Sequence, residues 1–365
     1  MRFAMSLLSL RPGQVGGAET YVRQLVRWLP AVAGGDELAL VMPREVAHTL
    51  ETPGWRRVIA DLSDRQLVMA RVAEAFTPWR ARGLERLFGN VDAVLFPQQS
   101  IFPKRIEAPA VLSVGDVQHL FHPRNIPLLE RAFRAAAYPH GLRRARRIIA
   151  VSEYTKKTLV ERAGVPPDKI TAVPMGFTPA EAASVRPLED PPGPYLYYPA
   201  ATFAHKNHAA LFRTYAALAR QGAIDEPLVL TGARTGLWKK LARLVRELGM
   251  EGRIRHLGYL SQADVRRVYA GASAIVFPSL FEGFGLPVLE AVAFGKKVIV
   301  SRLEVFEEIG VPSQFRIDFS KADQLLAALR LPGTTQLAKA PLSWEENARK
   351  ALGELRRAGI SSDRA

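Results

Sequence analysis

The 365-residue chain contains no cysteine. Disulfides and thiolate metal sites are therefore excluded, and a reducing, cytoplasmic setting is the expectation. Long apolar runs are missing too: no window approaches the ~18 residues that a membrane-spanning helix needs. The opening MRFAMSLLSLRPG is too briefly apolar for a secretory leader and has no small-residue cleavage site behind it. It runs straight into a glycine loop, so it reads as a first strand. Acid is scarce, with 35 Asp and Glu against 50 Lys and Arg and a net charge of +15. Such a surface suits nucleic acid, anionic membrane or phosphorylated ligands, and the count does not choose among them.

What is present is an ordinary folded composition, 48% apolar and 23% charged, in a chain long enough for two domains. Short β-branched and aliphatic runs recur, each followed by helical periodicity. In the first half they span 3–10, 38–42, 93–97, 110–114, 147–151 and 170–173. In the second they span 195–200, 228–231, 254–257, 274–278, 297–300 and 315–319. Near-continuous apolar strands alternating with helices predict parallel sheets covered on both faces, a doubly wound α/β architecture present twice. The proline-rich, acidic TPAEAASVRPLEDPPGPY reads as a linker, which divides the chain into domains 1–180 and 195–342 with 181–194 between them. A last helix at 343–365, capped by Ser343 with Trp344 and Leu352 on its apolar side, is grouped with the first domain. Open α/β sheets bind ligands beyond the carboxyl ends of their strands, so the cleft between two such domains is the expected site.

The stretch FPSLFEGFGLPVLEAVAFGKKVIVS, 277–301, places Glu282 and Glu290 around a glycine-rich turn between a buried strand and a helix. Pro287 suits the first helical position, and the N–H groups of Gly285, Leu286 and Val288 would then point outward at the positive helix end, a place for phosphate. Carboxylates suit a sugar diol instead, since they accept hydroxyl hydrogens. Glu290 would reach a ribose, and Glu282 whatever hangs beyond the diphosphate. Taken alone, the two acids would equally well cap and solvate a helix start. The partial glycine pattern at 283–288 lacks the third glycine of a dinucleotide fingerprint.

FEGFGLPVLEAVAFGKKVIVS resembles the E-x7-E region of family 4 glycosyltransferases, which have the GT-B fold of two Rossmann-like domains facing an interdomain cleft. GGAETYVRQLV, IIAVSEYTKKTL, KITAVPMGF, YYPAATFAHKNHAALF, LVLTG, HLGYLSQADVRRVYAGASAIVFPSLFEGFG and SWEENA are similar to family blocks, in the family order. The resemblance implies transfer of a sugar from a nucleotide diphosphate donor with retention of configuration, without a metal or other cofactor. It implies that Glu290 holds the ribose and Glu282 lies near the donor sugar. The backbone of Gly283, Phe284, Gly285 and Leu286 would meet sugar and diphosphate, and the base would rest against the Gly258-Tyr259-Leu260 segment. Lys206, in HKNH, is the main cation for the growing charge on the leaving diphosphate. Gly16 and Gly17, after the first strand, would let the backbone approach the donor phosphate or acceptor. The HKNH-type members include mannosyltransferases, which makes GDP-mannose the first expected donor and a UDP-sugar the next.

Two departures from the family pattern bear on the site. Ala201 stands where many relatives have an arginine, leaving Arg234 as a candidate replacement. Gly115-Asp116 stands where many have His-Asp, leaving Asp116 and His119 to face the sugar or the acceptor. Arginines at 71, 80, 82, 86, 131, 134, 143, 144, 146 and 147, beside Phe76, Trp79 and Leu87, suit an anionic membrane surface and a glycan or lipid-linked acceptor at the inner face. A nucleic-acid role predicts aromatic stacking platforms or a recognition helix among these arginines, and no such motif appears. An NAD-type enzyme requires a full glycine fingerprint, which RPGQVGGAE does not supply.

Overall fold

The computed structural model describes residues 1–11, 17–77, 83–123, 126–178, 185–191 and 193–360. They form two compact units, Met1–Phe177 with Leu342–Ala365, and Thr178–Pro341. Gly16, Trp79, Arg80 and Arg82 lie outside the described residues.

The first unit holds β1 (Arg2–Ser6), β2 (Glu37–Pro43), β3 (Arg56–Ala60), β4 (Ala93–Phe96), β5 (Ala110–Val114), β6 (Arg147–Ala150) and β7 (Ile170–Ala172). They form one parallel sheet in the order β3-β2-β1-β4-β5-β6-β7. Parallel neighbours need crossover connections, and the helices that supply them cover both faces. That is why β4 and β5 are buried at every position. The chain reverses its winding between β1 and β4, so the loops after these two strands flank the crevice of the sheet. β3 escapes the sequence reading because its RRVIA exposes two arginines on an edge. The first apolar run ends as strand at Ser6, and Leu7–Leu10 continue as a buried turn.

The helix Trp344–Gly359 starts in a capping box, Ser343 and Glu346 each bonding the other's backbone N–H. It packs on the helix Gly17–Val32 and on β4 to β6, burying Trp344, Leu352 and Leu355. Trp344 meets Tyr21 at 6.5 Å between ring centroids. Among the described arginines of the cluster, Arg71 donates to Ser100 Oγ at 3.0 Å and Arg134 to Glu130 at 3.1 Å. Arg144 donates to the Ile106 carbonyl, Arg146 to that of Ile360, and Arg147 to Glu354 at 2.8 Å. Arg131 and Arg143 stay exposed.

The second unit holds β8 (Tyr195–Pro199), β9 (Leu228–Thr231), β10 (Ile254–His256), β11 (Ala272–Phe277), β12 (Lys297–Ser301) and β13 (Arg316–Ile317). The order is β10-β9-β8-β11-β12-β13, again parallel, with the reversal between β8 and β11. β8 buries three tyrosines whose hydroxyls all find partners: Tyr195 on the Val268 carbonyl, Tyr197 with Thr231, Tyr198 on the Lys206 carbonyl. Full satisfaction is what allows this much phenol inside a sheet.

Candidate functional site

The crevice of the second sheet is stitched from four consecutive strand-end loops. Leu280 donates its N–H to the His205 carbonyl at 2.7 Å, and Asn207 Nδ2 to the Pro278 carbonyl at 3.2 Å. Thr202 N–H bonds the Ala233 carbonyl at 3.0 Å, and Gly232 N–H the Gly258 carbonyl at 2.8 Å. Thus the loops after β8, β9, β10 and β11 hold one another. Asn207, at φ +54°, takes the left-handed conformation that turns the chain into the helix His208–Arg220. Gly232, at φ +118°, has no room for a side chain, since a Cβ there would lie 2.6 Å from Ala201 N.

At the reversal point Lys206 Nζ donates to Glu282 Oε1 at 2.6 Å, with both side chains mostly shielded. Burial alone would raise the Glu282 pKa, but the Lys206 charge and hydrogen bond, with Ser279 and His205, hold it below its ordinary value. Gly285, at φ +109°, is the left-handed cap of the helix Leu286–Ala293. Leu286 therefore occupies the first helical position and Pro287 the second, one residue later than the sequence suggests. Val288 is not outward-pointing either, because its N–H bonds the Gly285 carbonyl at 2.9 Å. Phe284 and Leu286 bury their side chains, so only their backbone can face a ligand.

Glu290 sits one turn into this helix, where Tyr269 Oη donates to its Oε2 at 3.2 Å. Burial raises its pKa against the opposing pull of Tyr269 and Arg266, so the two carboxylates of one loop and helix titrate apart. Arg234 donates to the His256 carbonyl at 2.6 Å and lies over the Trp238 ring at 5.1 Å. Tyr259 is 69% exposed at the same edge, with Leu260 half-buried beside it.

The carboxyl edge of the first sheet is looser. Gly17 is the exposed first residue of its helix. Asp116, just past β5, accepts from Gln118 N–H at 3.0 Å. His119 meets Tyr138 edge-on at 5.0 Å, and its buried Nδ1 has no hydrogen-bond partner. Burial, with Arg134 nearby, lowers its pKa to about 4, so the ring is neutral at physiological pH. A cavity of about 570 Å³ opens beside these residues. Gln99, after β4, was not singled out from the sequence. It holds φ +58°, rare outside glycine, and its Nε2 donates to the Asp116 carbonyl at 3.3 Å. Nothing in PQQSI marks this position, because glutamine has no turn preference of its own.

The family model for "Glycosyltransferase Family 4" matches residues 15–181, and that for "Glycosyl transferases group 1" matches 181–351. O-antigen chain mannosyltransferase B of Escherichia coli is 29% identical over 216 residues, covering 57% of this chain and 56% of that protein. The chain thus spans little more than half of that relative. O-antigen chain mannosyltransferase RfbU of Salmonella typhimurium is 22% identical over 252 residues, covering 69% of this chain and 68% of the relative. Among solved structures, HepE of Anabaena in complex with UDP and glucose has a TM-score of 0.61 at 14% identity, covering 98% of this chain and 97% of that one. WaaG, a glycosyltransferase involved in lipopolysaccharide biosynthesis, has a TM-score of 0.61 at 15% identity over 98% of both chains. At such identities the likeness shows the fold alone, two parallel-sheet α/β units of GT-B type. Matched over both units by the family's models, the chain belongs to the family 4 glycosyltransferases.

Proposed function

We propose that this enzyme transfers a hexose from a nucleotide diphosphate sugar to a hydroxyl of a glycan or lipid-linked acceptor, with retention and without a metal. GDP-mannose is the first candidate donor, on the names of the mannosyltransferase relatives, and a UDP-sugar the second. The observation that carries the reading is the Lys206–Glu282 pair at the reversal point of the second sheet, where α/β sheets bind their ligands. Lys206, the start of the helix Leu286–Ala293 and Arg234 supply the positive charge for the departing diphosphate. Glu290 accepts the ribose hydroxyls, and Tyr259 offers a face to the base.

The acceptor oxygen attacks C1 on the face that the diphosphate leaves. The C1–O bond to phosphate breaks as the new glycosidic bond forms, and the leaving phosphate oxygen takes the acceptor proton. Asp116 orients the hydroxyls at the first unit. A double displacement through Glu282 is disfavoured, because its carboxylate is already engaged by Lys206.

Peripheral membrane association belongs to the same reading. Among the described residues no helix is long and apolar enough to cross a membrane. The helix Asp64–Phe76 nevertheless exposes Val68, Met69, Val72 and Phe76, and the helix packed on it exposes Leu128 and Leu129 near Arg131. Exposed apolar side chains beside an exposed arginine suit an anionic bilayer surface.

The test is a thermal-shift panel of GDP, UDP, ADP, dTDP and NAD, each with and without EDTA. Stabilisation by GDP that is indifferent to EDTA supports a metal-independent site for a GDP-sugar, and stabilisation by UDP alone reassigns the donor. Stabilisation by NAD alone, or by none of the five, overturns it.

A further inference from the structure

β8 carries two adjacent tyrosines, Tyr197 and Tyr198, both fully buried. Neighbours on a strand point to opposite faces, and the two phenols accordingly meet different surroundings. Tyr197 shares a hydrogen bond with Thr231 at 2.6 Å and meets Tyr269, the donor to Glu290, edge-on at 5.1 Å. Tyr198 lies on the other face, 4.8 Å from the His208 ring and edge-on to Phe277 at 5.9 Å.

What Tyr198 reaches is the reversal point of the sheet. Its hydroxyl donates to the Lys206 carbonyl at 2.8 Å and lies 3.3 Å from Ser279 Oγ. One phenol thus touches the loop after β8 and the loop after β11. The phenol proton is committed to Lys206, which leaves the Ser279 proton with two acceptors, Tyr198 Oη and the Glu282 carboxylate. Ser279 is fully buried, and its own carbonyl accepts the Ser301 hydroxyl. Lys206 Nζ closes the circuit on Glu282 Oε1. The contacts therefore run from the Lys206 carbonyl through Tyr198, Ser279 and Glu282 back to the Lys206 ammonium. Lys206 and His205 face Glu282 from the loop after β8, and Tyr198 faces it from the strand. A lysine and a glutamate each lose rotamer freedom when held in one geometry. Here buried hydroxyls fix both ends, one through the lysine backbone and one at the carboxylate.

We propose that Tyr198 and Ser279 are positioning residues for the Lys206–Glu282 pair, Tyr198 setting the lysine through its backbone and Ser279 setting the carboxylate. The proposal rests on the glycosyltransferase reading, in which this pair faces the donor; neither positioning residue touches the ligand.

The test is carbon NMR titration of the full chain labelled at its glutamate side-chain carboxyls, with Glu282 assigned by the signal missing from Glu282→Gln. Ser279→Ala should move the Glu282 titration upward, because the carboxylate loses a donor. Tyr198→Phe, which keeps the ring and removes only the hydroxyl, should move it upward by less. Tyr197→Phe removes an equally buried phenol hydroxyl from the other face and should leave the titration where it is, which separates positioning from a general loss of packing. Release of nucleoside diphosphate from GDP-mannose or UDP-glucose gives the second readout. Tyr198→Phe and Ser279→Ala should each lower kcat roughly tenfold or more with donor KM nearly unchanged. A Glu282 titration that stays put in Tyr198→Phe or in Ser279→Ala, or that moves as far in Tyr197→Phe, overturns the proposal, as does a kcat equal to the parent's. The two failures are distinguishable. An active parent with an unmoved titration sinks only the positioning assignment, whereas a parent that releases nucleotide from neither donor sinks the glycosyltransferase reading.

Discussion

The carboxyl edges of the two sheets are built to different densities. In the second unit four loops are tied by backbone hydrogen bonds, and the carbon that Gly232 lacks would strike backbone at 2.6 Å. In the first unit the loops after β4 and β5 are joined by the Gln99 amide and backbone, beside a cavity of about 570 Å³. A developing diphosphate charge is stabilised best by donors that need not move, which is what a stitched edge supplies. Room and adaptable side chains at the first edge suit the acceptor of the proposed function.

The largest effect is expected at the centre of the stitched edge. Lys206→Ala should lower kcat on the order of 10²–10³-fold and leave the shielded Glu282 carboxylate without its cation. Removing Glu282 as well should then cost little more, and kinetics of the single and double variants check this non-additivity. An equal loss from each, simply added, would separate the two residues functionally. Next in size is Gly232→Ala. Its φ of +118° and the clash with Ala201 predict a loss of about 3 kcal/mol in denaturant unfolding.

The two glutamates sharpen the picture within one site. Glu290→Ala should raise donor KM about tenfold or more with kcat nearly unchanged, if its contacts are ground-state contacts to the ribose. The pKa of Glu290 is raised, so its contribution to ligand-free stability is full below the ordinary 4.5 and is lost as pH rises through the folded value. Nucleotide affinity should run the other way, strengthening as the carboxylate forms. Glu282, lowered by Lys206, contributes stability that is present above 4.5 and lost as pH falls. Calorimetry of GDP binding across this range, compared with Glu290→Gln in which this carboxyl no longer titrates, reads the nucleotide affinity. Affinity that ignores pH in the parent would remove Glu290 from the ribose.

The second unit was the more legible half because its chemistry is local. Glu282, Gly285 and Glu290 lie in one strand-turn-helix, where position in sequence nearly gives position in space, while Lys206 joins them from 76 residues away because β8 lies beside β11. Proline and glycine set the turn, though one residue was lost at Pro287 because the left-handed Gly285 lets the helix begin at Leu286. In the first unit the polar residues come from two consecutive strand-end loops, 17 residues apart at Gln99 and Asp116, with no turn motif to mark them. Gln99 carries no local signal, and its meaning appears only when β4 is placed beside β5. A charge count also does not show that Arg146 and Arg147 bond the terminal helix or that Arg144 bonds the Ile106 carbonyl. β3 went unseen because an edge strand tolerates RRVIA where a central one would not.

The smallest effect tests the looser edge directly. Gly115 does not need positive φ, and the group that a new methyl would meet, Gln99 Nε2 at 3.2 Å, is the end of a flexible side chain. Gly115→Ala should therefore change stability by less than about 1 kcal/mol, well below the cost expected at Gly232. Its consequence should instead fall on acceptor KM, raised a few-fold as the amide is pushed from the Asp116 carbonyl, with donor KM unmoved. Steady-state kinetics varying each substrate in turn separates the two constants. If donor KM moved with acceptor KM, the first unit's edge would be serving the nucleotide as well, and the division of labour between the two edges would fall.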